Sequence, residues 1–168
     1  GTPEYIECLK DSWSRPLKVL IPLDTSVHNV DTVCLVPSSS KNSGGERNIR
    51  EQLETIVRQG NRIVVFDSNL ADLYHLYAQY ELRQEELGIN VSFLCSKHNK
   101  TYYPKSNKDD LEILMDTQKI DTDMLFITSA LNTGVSIDED FEYMFILGCP
   151  SRTAMFQLIA RIRRGFNG

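Results

Sequence analysis

The sequence predicts an α/β domain: a mostly parallel sheet with helices on both faces, forming a three-layer sandwich. Three observations lead there. From residue 46 onward, short apolar runs alternate with stretches of helical periodicity. The runs Arg62-Ile-Val-Val-Phe66 and Asp123-Met-Leu-Phe-Ile127 are continuous, without the in–out alternation of a half-exposed strand, so they suit strands buried on both faces. The chain has 168 residues, enough for one domain with a proper core, whereas two domains would each be small and marginal.

Taken in order, residues 4–13 predict a short helix, and residues 17–21 and 32–36 are β-like. Pro37-Ser-Ser-Ser-Lys-Asn-Ser-Gly-Gly45 is a loop by composition. Residues 1–45 are expected to form a linker or an extra hairpin, ahead of the main domain at 46–168. A helix over residues 46–59 follows from Ile49, Leu53, Ile56 and Val57 at helical spacing, with Gly60 as a stop. After the strand at 62–66, Asp67-Ser68-Asn69 offers N-cap candidates for a helix to about Leu87, closed by Gly88. A strand at 90–95 leads into a polar loop through Lys97-His-Asn-Lys100 and Pro104, and Asn107 is placed to cap a helix to Lys119. Strands at 123–127 and 142–147 follow, and Ser151 opens a last helix to about Arg164.

Composition removes several classes of function. Hydrophobic content of 41% and charged content of 24% are ordinary for a soluble globular protein. No apolar run approaches the roughly 18 residues that span a bilayer, so no membrane association is expected. Gly1-Thr-Pro-Glu4 has neither the basic nor the apolar region of a signal peptide. With no initiator Met, and ending on Arg164-Gly-Phe-Asn-Gly168, the chain reads as a piece of something longer. Cys8, Cys34, Cys95 and Cys149 form no Cys-x-x-Cys pair, which predicts small buried thiols in a reducing, intracellular, cytoplasmic or nucleoid-associated setting. Net charge is −5, so the whole chain is no polycation. Residues 104–142 hold ten acids and three bases, while residues 151–168 hold four arginines and no acid. That local asymmetry points to a specific anion site.

In sheets of this kind ligands sit beyond the carboxyl ends of the strands. After Phe66, the small polar residues Ser68 and Asn69 open a helix whose free amides could hold a phosphate, although taken alone a plain N-cap explains them better. After Cys95, Ser96-Lys97-His98-Asn99-Lys100 could follow a nucleic-acid backbone or be a solvated loop, and His98 has no partner at metal-ligand spacing. After Ile127 come Thr128, Ser129, Gly134 and Ser136 in a small, polar stretch whose glycine would let the backbone approach a ligand. After Leu147, the last helix carries Gln157 and Arg161 four apart on one face, with Arg164 close to it and Arg163 turned away. Guanidinium forks suit a triphosphate, and a basic helix end favoured by the macrodipole is the alternative.

No phosphate-binding Gly-x-x-x-x-Gly-Lys-[Ser/Thr] loop occurs. Nor does any Gly-x-Gly-x-x-Gly follow a strand. Ile137-Asp-Glu-Asp140 is expected to be a surface turn, and no metal site is expected on this chain.

These strand-end features resemble, in order and spacing, the C-terminal RecA-like lobe of superfamily-2 helicases. Arg62-Ile-Val-Val-Phe66-Asp-Ser68 looks like motif IV, Ile127-Thr128-Ser-Ala-Leu-Asn-Thr-Gly134-Val-Ser-Ile137 like motif V, and Gln157-Leu-Ile-Ala-Arg161-Ile-Arg163-Arg164 like motif VI. The match covers residues 46–166. Thr-Gly-Val-Ser-Ile followed by Gln-x-x-x-Arg-x-Arg is similar to replication-origin-binding helicases of the herpesvirus type and their phage and mobile-element relatives.

The resemblance implies a RecA-like fold and a part in ATP-dependent helicase or translocase action. ATP with Mg²⁺ would be shared with an N-terminal RecA-like lobe of the same polypeptide, and the isolated domain would be inactive. Arg161 and Arg164 would be arginine fingers, with Arg163 the alternative for the second, and Gln157 would position the nucleotide alongside Gly134, Ser136 and Arg163. Ser68, Asn69, Lys97, Thr128 and Ser129 would grip a DNA (or RNA) strand by its phosphates. Two residues depart from the family pattern: Ala160 stands where glycine usually precedes the first arginine, and Ser136 where an acid is usual. They leave room for a non-catalytic nucleic-acid-binding or interaction module with the same fold.

Overall fold

The computed structural model describes residues 44–128 and 136–148, the pairs 6–7 and 18–19, and Ile159, with side chains from Ile49 onward. Strands β1 (Ile6–Glu7) and β2 (Lys18–Val19) pair antiparallel, Ile6 opposite Val19. Pairing at Ile6–Glu7 differs from the helix expected there; the rest of residues 4–13, and most of the first 45, lie outside the described residues.

The main domain runs α1 (Gly44–Arg58), β3 (Ile63–Asp67), α2 (Leu70–Glu81), α3 (Gln84–Leu87), β4 (Val91–Leu94), α4 (Lys108–Thr117), β5 (Met124–Ile127) and β6 (Tyr143–Leu147). A single 3₁₀ turn at Tyr103–Lys105 precedes α4. The four main strands form one sheet in the order β4-β5-β3-β6, and every neighbouring pair is parallel. Every residue of β3, β4 and β5 is buried, as continuous apolar runs require. Residues of β6, on the outside of the order, are half-buried.

Two cores lie on the two faces of the sheet. On one, Val64, Phe66, Leu125 and Ile127 pack against Leu111 and Leu114 of α4. On the other, Ile63, Val65, Phe93 and Phe126 pack against Leu53 of α1 and Tyr77 of α2. The fold is thus an α/β three-layer sandwich of the RecA-like kind. The crossover through α2 steps from β3 out to β4 over one face. The crossover through α4 steps back to β5 over the other. Reversing both direction and face keeps the same hand, as parallel crossovers demand.

The helix expected to run from Asn69 to Leu87 is broken. Leu82 closes α2, and Arg83 leaves the helical region at φ −112°, ψ 6° before α3 begins. Arg83 is held there by bonds to Glu54 of α1 and Glu86 of α3. Gly88 then ends α3 in the left-handed conformation, φ +66°, as a C-terminal glycine does. Among the described residues no helix is long and apolar enough to cross a membrane. Cys95 is buried and reduced, and burial pushes its thiol pKa up; Cys8, Cys34 and Cys149 lie outside the described residues.

Arg62, which the sequence marks only as the start of a strand, ties three segments together. Its Nε donates to the Thr122 carbonyl at 2.9 Å and one terminal nitrogen to the Ile120 carbonyl at 2.7 Å. Its other terminal nitrogen reaches Glu139 and the Asp140 carbonyl, both at 3.2 Å, and the guanidinium lies 4.6 Å over the Phe141 ring. Ile137 and Phe141 are buried against the α4 face, and the Asp138 amide donates to the Gln118 carbonyl at 2.6 Å. The segment expected as a surface turn is therefore anchored at its apolar residue, with only its acids at the surface. One ammonium cannot serve these carbonyls together. Arg62→Lys should cost about 2 kcal/mol, a fall of roughly 4–8 °C in melting temperature by calorimetry.

Candidate functional site

Strand register aligns the carboxyl ends of the sheet. Leu94, Ile127, Phe66 and Ile146 stand in one row across β4, β5, β3 and β6. The next residue on each strand gives Cys95, Thr128, Asp67 and Leu147, and one further gives Ser96, Ser68 and Gly148. Three strand spacings make that edge about 14 Å wide. The chain leaves β3 over one face, into α2, and returns from β5 to β6 over the other, where Ile137 and Phe141 pack. Neighbouring strands whose connections depart to opposite faces leave a crevice between their ends, so β3 and β5 frame the ligand position of this fold.

Asp67 closes the central strand and is 8% exposed. Its Oδ1 accepts the Asn69 amide at 2.8 Å. Asn69 is the N-cap of α2: its Oδ1 accepts from the amides of Ala71 at 3.1 Å and Asp72 at 3.4 Å, and its Nδ2 donates to Asp72 at 2.6 Å. The amides expected to hold a phosphate at this helix start are thus already engaged by Asp67 and Asn69. Asn69 has a structural task, and the exposed Ser68 hydroxyl is the group this turn presents to solvent. Gly148 meets the turn from β6. Its φ is +76°, and a Cβ there would lie 3.2 Å from both Asp67 Oδ1 and Ser68 Oγ. Only glycine combines that conformation with so close an approach.

Burial raises the Asp67 pKa, the amides of Asn69 and Ser68 lower it, the Asp72 charge raises it, and the net shift is upward. A carboxyl held above its unfolded value binds its proton more tightly when folded. That contribution is full below the unfolded pKa and is lost as pH rises through the folded one. Asp67→Asn keeps an acceptor for the Asn69 amide and removes the charge. We expect its melting temperature to exceed that of the unaltered chain at pH 7, and the gap to close as the pH approaches 4.

Thr128, one past β5, is 5% exposed and sits beside Asp67 in the row. Lys97 is exposed two residues beyond Cys95, on the β4 side, so two strand spacings, roughly 10 Å, separate its strand from that of Ser68. Ser136 is half-buried and precedes Ile137 and Asp138, which fix it beside the far end of α4 rather than in the row with Ser68 and Thr128. Ser129, Gly134, Gln157, Arg161, Arg163 and Arg164 lie outside the described residues; within the last helix, Ile159 is helical and half-buried.

No family model matches the chain, and no curated protein does. The site therefore rests on its own geometry.

That geometry gives one exposed hydroxyl at Ser68, one exposed ammonium at Lys97 and a buried threonine between their strands. Among the described residues no group of three or more His, Cys, Asp or Glu side chains could hold a metal ion. The row contains a buried acid and no arginine, which does not suit a triphosphate. Sequence reasoning did not mark Asp67 or Gly148 as site-forming. The signal for both was their place at a strand end, an acid and a glycine following apolar runs.

Proposed function

We propose that this chain is the C-terminal motor lobe of an ATP-dependent nucleic-acid helicase or translocase of superfamily 2. It would work with an N-terminal RecA-like lobe of the same polypeptide that carries the phosphate loop and the Mg²⁺-binding acids. The observation that carries this reading is the strand-end row. Segments resembling motifs IV and V come from β3 and β5, far apart in sequence, and the sheet sets Asp67-Ser68 beside Thr128 at its carboxyl edge.

On this reading Ser68, Ser129 and Lys97 hold the phosphates of one strand without reading its sequence, and buried Thr128 sets their spacing. Asn69 supports them by fixing the α2 cap. ATP bound between the lobes supplies the free energy for movement. Gln157 orients the nucleotide, and the Arg161 and Arg164 guanidinium groups face its terminal phosphate to offset negative charge. Arg163 is the alternative second finger, and Gly134 belongs to the loop that links strand grip to nucleotide, while Ser136, held near the end of α4, takes no part in it. Because the groups for chemistry are divided between two lobes, the isolated domain does not hydrolyse ATP.

The test is the longer polypeptide containing this chain. It should carry a Gly-x-x-x-x-Gly-Lys-[Ser/Thr] loop in a second lobe, and its ATPase rate should rise when an oligonucleotide is added. Absence of both sinks the motor reading and favours the non-catalytic binding module.

A further inference from the structure

The connection between β4 and α4 differs in charge from the rest of the described surface. Residues 96–108 hold Lys97, His98, Lys100, Lys105 and Lys108 and no acid, in a chain of net charge −5. All four lysines are exposed. Elsewhere Arg58, Arg62 and Arg83 are each paired with a glutamate. Among the described residues, none of these four lysines makes an ion pair. Two of them lie instead on tyrosine rings. The Lys105 ammonium is 4.7 Å from the Tyr74 ring centre and 5.4 Å from that of Tyr102, and the Lys108 ammonium is 5.5 Å from that of Tyr103. Tyr102 and Tyr103 are half-buried against opposite cores, and their ring faces draw the two ammonium groups toward them.

This band adjoins the strand-end row. Tyr74 is on α2, five residues past Asn69, or about 7.5 Å along the helix at its usual rise. Lys97 belongs to both surfaces. From there the cations pass around the outer side of β4 to the first residue of α4.

We infer that residues 97–108 form a contact surface for the backbone of single-stranded nucleic acid, with Lys105 and Lys108 as phosphate-binding cations. The inference rests on the strand-gripping reading and extends its path beyond the sheet edge. Unpaired lysines among tyrosines have the chemistry of a groove that tracks a single strand without reading bases. An anionic membrane fits less well. The large apolar side chains exposed among the described residues are Leu82, Ile113 and Met115, none of them in the band, so nothing there would enter the acyl layer.

The experiment uses the whole 168-residue chain and a fluorescein-labelled 20-nucleotide oligothymidylate, read by anisotropy as NaCl rises from 50 to 200 mM. Each lysine–phosphate contact contributes about 0.7 to the salt slope on single strands. The double variant Lys105→Gln/Lys108→Gln should therefore have a slope smaller by about 1.4, losing about sevenfold less affinity over that range than the unaltered chain. Lys119→Gln, just past the other end of α4, should leave slope and affinity unchanged. If the double variant keeps the full slope while Lys97→Gln lowers it, the band is no contact and the strand-end grip stands. If the unaltered chain binds no oligonucleotide, both readings fall. Tighter binding to phosphatidylserine vesicles or to polyglutamate than to the oligonucleotide, lost in the double variant, would overturn the nucleic-acid assignment in favour of a membrane or an acidic protein. All four substituted lysines are exposed, and circular dichroism melts of the variants should superimpose.

Discussion

In the two-lobe polypeptide, Arg161→Ala is expected to lower the nucleic-acid-stimulated ATPase rate by about 10³–10⁵-fold, the range for loss of an arginine finger. The proposal places Arg161 on the helix face of Gln157, across from a terminal phosphate whose charge the other lobe cannot balance alone. A guanidinium contributes two parallel donors and a charge that persists at any working pH. Arg161→Lys should recover little, since an ammonium is a point charge without the fork. The loss should fall on kcat, with nucleotide affinity within a few-fold. Oligonucleotide binding should be retained, because Ser68, Lys97 and the lysine band are separate groups. Arg164→Ala should follow with a smaller deficit, and Arg163→Ala with less again, because it turns away from the Gln157 face. Full stimulated activity in Arg161→Ala would discard the motor reading and leave the non-catalytic module.

The largest stability effect is expected at Phe126. This residue is fully buried at the middle of β5, between β4 and β3, on the face covered by α2. Its ring centre lies 5.7 Å from that of Tyr77, edge to face, and 6.0 Å from that of Tyr80. Tyr77 in turn stacks on Phe93 at 5.3 Å. Phe126→Ala removes the shared partner of two helix tyrosines and leaves a cavity in an interior strand, which cannot collapse without moving both neighbours. The cost should be about 3–5 kcal/mol, against a total of roughly 5–15 kcal/mol for a native domain. Urea denaturation should show a much lower midpoint or no folded baseline. Phe126→Leu, which keeps most of the volume, should cost less than half as much. Equal effects for the two variants would mean that the aromatic contacts, not the volume, dominate.

The sheet was legible in the sequence because burial on both faces leaves a strong mark. Ile63 to Phe66 and Met124 to Ile127 have no polar residue to place at a surface, and both proved to be inner strands. Strand ends were legible to within a residue or two for the same reason. What stayed hidden depends on partners distant in the chain. Arg83 breaks the α2 helix because Glu54, 29 residues earlier, offers an ion-pair partner. No local propensity reports that. Ile137 was masked by its three acidic neighbours, although Phe141 four residues on was a clue to a buried side. Asn107 was read as a helix cap, and it stands at that position in α4, but its side chain makes no capping bond. At the site, Ser68, Thr128 and Lys97 were legible as polar residues following apolar runs. The engagement of the α2 amides by Asp67 and Asn69 was not, because it depends on side-chain direction. The arginines of the last helix lie outside the described residues and rest on their motif.

Asn107 has a second role, at the edge of the sheet. Its amide donates to the Phe93 carbonyl at 3.0 Å and its Oδ1 accepts the Phe93 amide at 2.8 Å. Phe93 is mid-way along β4, the outer strand of the described sheet, and both of its outward-facing backbone groups are satisfied by this one residue. A single residue, through its backbone N–H and its side-chain oxygen, thus stands in for a neighbouring strand at this point. An unguarded sheet border invites other chains to dock by backbone pairing, in amyloid-like stacking or in swapped dimers. Here the middle of that border is occupied beside the lysine band, which interrupts the template another polypeptide would need to zip onto the surface that would meet a flexible polyanion.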